Sequence, residues 1–249
     1  MKNYEKANTI TLSLMERAMT YHQWIYEKIS PFLGGDILEV GCGIGNLTGF
    51  LLDHGKVLIS DVNEKYLQVA GEKFRGHPNL KGSFRWDIRE KLAENFSNSF
   101  DTIVCLNVLE HLEDDEGVLN NFFDSLPKGG RLILLVPALK GLYNRLDREI
   151  GHFRRYSKKE LTRKITLSGF RILFLTYFNL FGIVGWFLNG TLLRRSLLPE
   201  RQVRIFNRMT PFFIKLEKAI PIQLGQSLMV VGEKERKIGD ETFYNHPGL

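Results

Sequence analysis

Asp36-Ile37-Leu38-Glu39-Val40-Gly41-Cys42-Gly43-Ile44-Gly45-Asn46 is an apolar strand with an acid near its end that runs directly into alternate glycines. Glycine allows positive φ and a close approach that a Cβ would block, and a helix that follows presents unpaired N–H groups. A buried strand opening through such a turn brings bare backbone against a nucleotide-sized ligand. The turn alone does not choose among ligands, since similar turns serve several cofactors and plain packing. The choice falls to the rest of the chain.

Outward from this stretch, strand and helix patterns alternate. Residues 15–30 read as one amphipathic helix with no breaker before Pro31. After the glycine turn, 46–54 is helical and closed by Gly55, and 56–60 is a short β run ending at Asp61. Asn63 is a suitable N-cap for a helix to about residue 74, followed by a strand over 82–86 that ends at Asp87. Residues 100–106 form an apolar strand of the kind covered on both faces. A helix over 115–126 meets the breaker Pro127-Lys128-Gly129-Gly130, and 131–136 is the fifth strand. Ser157-Lys158-Lys159-Glu160 is a capping-box sequence that starts a helix ended by Gly169. Residues 171–177 and 227–231 are the last strands. The alternation predicts an α/β, doubly wound, mostly parallel seven-stranded sheet with its ligand crevice at the carboxyl ends of the strands.

A length of 249 residues and 43% hydrophobic content suit one large domain with a packed core. Cys42 and Cys105 lie in apolar surroundings and read as buried thiols in a reducing compartment. Charges of both signs at the start, with no apolar core of signal-peptide type, predict a cytoplasmic protein. The net charge of +6 divides unevenly: up to Val136 there are 14 Lys and Arg against 19 Asp and Glu, and beyond it 20 against 9. The basic second part either meets an anionic partner or surface or is a solvated face.

At the ends of the first four strands stand Gly41, Asp61, Asp87 and Asn107, with Glu39 just inside the first. A doubly wound sheet brings these positions to one crevice. There Asp61 can accept from both hydroxyls of a ribose and Asp87 from an adenine amino group; each acid alone also reads as a turn or cap residue. The glycine spacing, G-x-G-x-G two residues after an acid, departs from the G-x-G-x-x-G that suits a pyrophosphate.

Here the chain resembles the class I S-adenosylmethionine-dependent methyltransferases, in particular the type 11 small-molecule group. The resemblance rests on Leu38-Glu39-Val40-Gly41-Cys42-Gly43-Ile44-Gly45, on Asp61 and Asp87, on the run 100–112 ending Asn107-Val108-Leu109-Glu110-His111-Leu112, and on Leu126-Pro127-Lys128-Gly129-Gly130. It implies a Rossmann-like methyltransferase fold, S-adenosylmethionine as cofactor, and an enzyme that transfers a methyl group by in-line displacement. It also implies roles. Glu39, Gly41, Cys42, Gly43 and Gly45 would orient the methionine portion, Asp61 with Val62 the ribose, Asp87 with Ile88 the adenine, and Asn107, Val108 and His111 the methionine end. A sulfonium and an ammonium group suit carboxylates near the turn. Neither the histidines nor the cysteines show ligand spacing, so no metal is expected.

Candidates for acceptor contact follow the fifth strand. Residues 137–157 leave the sheet over the crevice and read as a lid carrying Tyr143 and Gly151-His152-Phe153-Arg154-Arg155-Tyr156, a run similar to one that recurs in type 11 relatives. His152 is the candidate general base, or else a structural residue of the lid, with Tyr156 the second catalytic candidate. Arg154, Arg155 and Tyr156 are suited to hold a phosphate or carboxylate.

The segment 178–226 is a long insertion before the last, antiparallel strand and reads as a helical cap. Residues 172–193 carry no charge, which matches a membrane span in length, but the strand over 171–177 and several Asn and Gly residues argue against one. An apolar patch around Phe181, Ile183, Val184, Trp186, Phe187 and Leu188 remains, with Trp186 a candidate acceptor contact. Downstream, Arg201, Arg204, Arg208, Lys215 and Lys218 share one helical face and Val203, Phe206, Phe213, Leu216 and Ile220 another, with Pro211 a kink or break. This suits a membrane-surface helix, a cap over a lipid-like or phosphorylated acceptor, an RNA contact, or a surface helix packed on the domain.

The expectation is one methyltransferase domain over 1–249, with an N-terminal helical segment (1–35), a cofactor-binding core (36–136), the lid, the cap and a frayed polar tail (234–249). Its substrate would be a small apolar or lipid-linked, anionic molecule methylated on O, N or C, and its contact with the inner membrane face peripheral. The rival readings are an RNA methyltransferase, disfavoured by the lack of an RNA-binding module, and a non-catalytic cofactor-binding or membrane-associated scaffold.

Overall fold

The computed structural model describes residues 3–96, 99–219 and 223–235. Its centre is a seven-stranded sheet: β1 (Asp36–Val40), β2 (Lys56–Asp61), β3 (Leu80–Arg85), β4 (Thr102–Leu106), β5 (Arg131–Pro137), β6 (Phe170–Phe178) and β7 (Ser227–Lys234), in the order β3-β2-β1-β4-β5-β7-β6. The β1–β5 neighbours pair in parallel, and β7 runs antiparallel to both β5 and β6. The chain leaves β1 to one side for β2 and β3 and returns to β4 on the other. Between β1 and β4 lies the switch point at which open α/β sheets bind ligands.

Both faces of the sheet are buried, which explains the nearly continuous apolar strands. Alternate residues of β5 divide between two cores: Leu132, Leu134 and Val136 face the layer of α5 (Asp115–Ser125) and α7 (Lys158–Leu167), and Ile133 and Leu135 face the opposite layer. That opposite layer holds α2 (Met19–Ile29), α3 (Thr48–His54) and α4 (Glu64–Lys73), with Trp24 packed on Phe178 at 4.3 Å between ring centroids. Asn63 caps α4 by accepting from the Lys65 N–H, as its sequence predicts.

Several boundaries differ from expectation. The expected helix 15–30 is two helices, α1 (Asn3–Glu16) and α2, separated at Arg17 and Ala18. Ala18 cannot cap α2. The cap comes from far along the chain, where Asn207 Oδ1 accepts from the N–H groups of Thr20 and Tyr21 at 3.0 and 3.3 Å. The capping box at Ser157 is half formed: Ser157 accepts from the Glu160 N–H, and Glu160 pairs with Lys140 at 2.8 Å. The complete box lies in α6 (Arg145–Glu149), between Asn144 and Asp147.

The insertion comprises α8 (Gly182–Trp186), a π-type turn over Phe187–Leu192, and α9 (Glu200–Ala219). Pro211 does not break α9. The helix is held on either side of it, since Val203, Phe206 and Ile214 pack into the core that contains α2. The tail expected to fray from residue 234 begins inside β7, and 236–249, like Ile220 of the predicted apolar face, lie outside the described residues. No helix among the described residues is long and apolar enough to cross a membrane.

Gly41 shows why the turn requires glycine. Its φ is +69°, and an added Cβ would stand 2.3 Å from Val108 Cγ2. Gly41→Ala combines left-handed strain with a clash and should lower stability by roughly 1–3 kcal/mol, measurable by denaturant unfolding.

Candidate functional site

A crevice of about 1910 Å³ opens at the carboxyl ends of β1, β2 and β4. It exceeds the roughly 300–1,000 Å³ of a pocket for one drug-sized ligand, so two reactants can lie side by side. One end is walled by the glycine turn and the strand-end acids, the other by the lid and by Trp186 and Asn189 of the insertion.

At the first end, Asp61 accepts from the Gly43 N–H through Oδ2 at 2.9 Å and from the Asn63 N–H through Oδ1 at 2.8 Å. It therefore holds the turn and the start of α4 in register while it faces the crevice. Burial raises its pKa against these hydrogen bonds. Glu39 is also buried, with Oε2 accepting from the Thr48 hydroxyl at 2.6 Å, and burial pushes its carboxyl up to about 8 against that bond. The buried Cys42 thiol is raised by burial too, which makes it a packing group and not a nucleophile.

Asp87 lies beside Ile88 on the crevice wall, but Arg89 engages both of its carboxylate oxygens, and that hydrogen bonding holds the carboxyl below its usual range. Val62 is more than half exposed at the rim, at 52%. Asn107, at φ +55°, turns the chain after β4 so that Val108 lies against Gly41. Carboxylates, bare turn backbone and apolar walls fit a ligand that carries cationic groups on a nucleoside.

The sequence reading missed a wall. The helix α1 lies over the glycine turn, with the Leu12 side chain 3.1 Å from the place a Gly43 Cβ would take. The Leu12 carbonyl accepts from Asn46 Nδ2 at 3.0 Å, and the Thr9 and Tyr66 hydroxyls meet at 2.7 Å. The helical segment expected over 1–35 carried no sign of this role: the interior face of α1 meets a crevice instead of a core, so polar residues recur there.

At the far end the lid is organised by Asp147, another residue the sequence reading passed over, although Asn144-x-x-Asp147 is itself a capping pattern. Asp147 is fully buried. Its Oδ1 accepts from Arg155 Nε at 2.9 Å and lies 2.9 Å from His152 Nδ1, and its Oδ2 accepts from Trp186 Nε1 and the Asn144 N–H, each at 3.0 Å. Burial would raise this carboxyl, but His152 and Arg155 outweigh it and hold the pKa below the ordinary value. The Arg155 guanidinium stacks on Trp186 at 4.9 Å from the ring.

This geometry revises several assignments. Arg155 and Trp186 line the crevice, but the charge of Arg155 is already matched by Asp147 and is not free for an anionic acceptor. Arg154 points away from the crevice to Asp115, at 3.2 Å, and to the Glu113 carbonyl. Tyr156 is fully buried in the sheet core, where it donates to Asp115 at 2.8 Å, so it is a structural group and not a catalytic one. Tyr143 stands behind the lid and donates to the His152 carbonyl at 2.8 Å. His152 itself lines the crevice, edge-on to His111 at 4.7 Å between centroids. Burial, and then His152, lower the His111 pKa to about 3, so its ring is neutral at physiological pH.

Fold and crevice define a Rossmann-like α/β domain built to hold a nucleoside-bearing ligand beside a second reactant. Residues 38–132 match the family model described as a methyltransferase domain. The ubiquinone biosynthesis O-methyltransferase of Pseudomonas fluorescens (strain SBW25) is 31% identical over 110 residues, 44% of this chain and 47% of that protein, so the chain spans about half the length of the curated relatives it matches. Among solved structures, a methyltransferase of Clostridium acetobutylicum ATCC 824, described as S-adenosylmethionine-dependent, superposes with a TM-score of 0.57 at 14% identity, covering 87% of this chain and 92% of that one. The phosphoethanolamine N-methyltransferase 2 of Haemonchus contortus, solved with S-adenosyl-L-methionine, gives 0.59 at 16% identity over 87% of this chain and 52% of that one. Residues 38–132 thus match a methyltransferase domain, on a fold shared with solved S-adenosylmethionine-dependent methyltransferases.

Glu39 makes the site's pH behaviour testable. Its folded pKa of about 8 lies above the usual carboxyl value, so the folded state keeps a proton that the unfolded state loses. Its contribution to stability is present at acid pH and falls as pH rises from about 4.5 towards 8. A cationic ligand beside Glu39 favours the carboxylate and should release a proton on binding. Calorimetry in buffers of differing ionisation enthalpy should detect that proton at pH 7, and Glu39→Gln should abolish it.

Proposed function

We propose that this chain transfers the methyl group of S-adenosylmethionine to a hydroxyl oxygen of a small, apolar or lipid-linked acceptor taken up at an anionic membrane surface. The observation that carries the reading is the continuous crevice, whose walls pass from the strand-end carboxylates to neutral polar and apolar residues of the insertion such as Trp186, Asn189 and Phe206. When bound, the cofactor supplies a methyl group on a sulfonium, an activated leaving group that needs alignment more than acid or base help. Glu39 and Asp61 offer carboxylate oxygens to its cationic and hydroxyl groups, and Asp87 with Ile88 flanks the adenine position. Val108 and His111 border the reacting end. His152, its Nδ1 on Asp147, presents Nε2 as the group able to take the acceptor's proton.

The acceptor class rests on the insertion. On the outward side of α9, Ile205, Met209 and Phe212 are exposed beside Arg201, Arg204 and Arg208, while the stripe of Val203 and Phe206 packs inward. Leu188, Leu192 and Leu193 are exposed just before that helix. Basic and apolar groups sharing one outward surface suit an anionic lipid interface better than an RNA backbone. The name of the Pseudomonas relative, an O-methyltransferase of a lipid-soluble quinone's biosynthesis, agrees with this acceptor class.

Calorimetry of the full chain should show binding of S-adenosylmethionine and S-adenosylhomocysteine, weakened roughly 10- to 100-fold by Asp61→Ala. Absence of binding to the folded protein sinks the reading, and binding without product from any phenolic acceptor leaves the scaffold reading in its place. Co-sedimentation with vesicles containing phosphatidylserine should fall when Arg201, Arg204 and Arg208 are changed together to Glu, each charge contributing on the order of 1 kcal/mol.

A further inference from the structure

Glu110 lies in the short 3-10 turn after β4 and is fully buried at the floor of the crevice. Neither of its carboxylate oxygens has a hydrogen-bond partner. His152 Nε2 stands 3.6 Å from Oε1, beyond hydrogen-bond length. A carboxylate removed from water without hydrogen bonds is costly. The buried Arg155 guanidinium is already engaged by Asp147.

Glu110, His111 and His152 each offer one ligand atom, and these atoms all lie within 4.8 Å of one another. The His152 imidazole is oriented through its other nitrogen. His152 Nδ1 lies 2.9 Å from Asp147 Oδ1, and the His111 ring stands edge-on to His152 at 4.7 Å between centroids. A carboxylate behind an imidazole, with the second nitrogen left as a lone pair, is the usual arrangement behind a histidine metal ligand. We propose that Glu110, His111 and His152 bind one divalent first-row transition cation, with its remaining coordination positions open to the crevice.

Two histidines and a carboxylate suit such an ion and leave room for an exchangeable oxygen ligand. Metal–ligand bonds of roughly 2.0–2.2 Å place ligand atoms about 3–3.5 Å apart, so the 3.6 Å Glu110–His152 separation closes by tenths of an ångström. The other separations, all within 4.8 Å, close by side-chain rotation. Asp147 and Arg155 cancel, so Glu110 contributes the one uncompensated negative charge, and a dication leaves a net positive site. That site would hold an acceptor oxygen as its anion, the proton passing to water in the open crevice; in the metal-loaded form His152 Nε2 is a ligand, and it serves as proton acceptor only in the cation-free site. This role rests on the proposed methyl transfer to oxygen, whereas cation binding does not. Sequence spacing predicted no metal because the ligands come from separate segments, two from the turn after β4 and one from the lid.

The test uses the full chain, stripped with chelator, desalted, and titrated with ZnCl2 and separately with MnCl2 by calorimetry. One equivalent per chain of either metal is expected, with elemental analysis confirming the retained metal. Glu110→Gln and His152→Ala should each weaken binding at least tenfold, and His54→Ala, on an exposed histidine, should leave it unchanged. Cobalt(II) should give a visible d–d absorption that Glu110→Gln removes. Should Glu110→Gln fail to fold by circular dichroism, His111→Ala carries the same expectation. Less than one equivalent of both metals, or binding that survives all of the folded ligand variants, overturns the proposal. S-adenosylmethionine binding measured on the same samples separates the two readings: its loss with cation binding intact overturns the methyltransferase reading alone, and the converse overturns the metal site alone.

Discussion

The acceptor end of this molecule depends on one buried carboxylate. Asp147 receives Arg155, Trp186 and the Asn144 N–H and touches His152, joining groups from the lid and the insertion through two oxygens. Removing it would leave Arg155 as an uncompensated buried cation, the costly way to break an ion pair, and would release Trp186 from the lid. The insertion is thus part of the crevice wall: Asn144 also donates to the Trp186 carbonyl and Thr191, and the Arg194 carbonyl accepts from Arg145. Lid and cap are one unit mechanically, although they are separated in sequence by α7 and β6.

The donor end is built on a different principle. There the backbone sets the geometry: Gly41 and Gly43 at positive φ, the Gly43 N–H on Asp61, and Asn107 turning Val108 against Gly41. Such constraints leave a signature in residue type, because only glycine fits where φ is positive and a neighbour is close. For that reason the sheet, its switch point, the glycine turn and the acids Glu39, Asp61 and Asp87 were legible in the sequence. The roles of Arg154, Tyr156 and Tyr143 were not. Residues in an irregular lid show no period, and whether a side chain faces the crevice or the core is decided by contacts such as Tyr156 with Asp115.

The same distinction explains the N-terminal helices. A break between α1 and α2 has no local cap to announce it, because Asn207 supplies the cap from α9. Nor does α1 carry a clean apolar stripe, since it covers a ligand crevice at Leu12 and Thr9. Glu110 illustrates the opposite case: it was visible in the motif Leu109-Glu110-His111, yet its isolation appears only once the lid is folded over it.

Charge at the two ends then divides the chemistry. At the donor end Glu39 and Asp61 are carboxylates that burial drives towards the neutral form, so a cationic ligand gains by restoring their charge. At the acceptor end Asp147 is held ionised by His152 and Arg155, and the strain of burial falls on Glu110 instead. Two carboxylate environments shifted in opposite directions within one crevice are a recognised sign of groups with different tasks. Under the proposed function both ends suit a cation: one carried in on the methyl donor, the other held where the Glu110 side chain has no hydrogen bond and two imidazoles stand beside it.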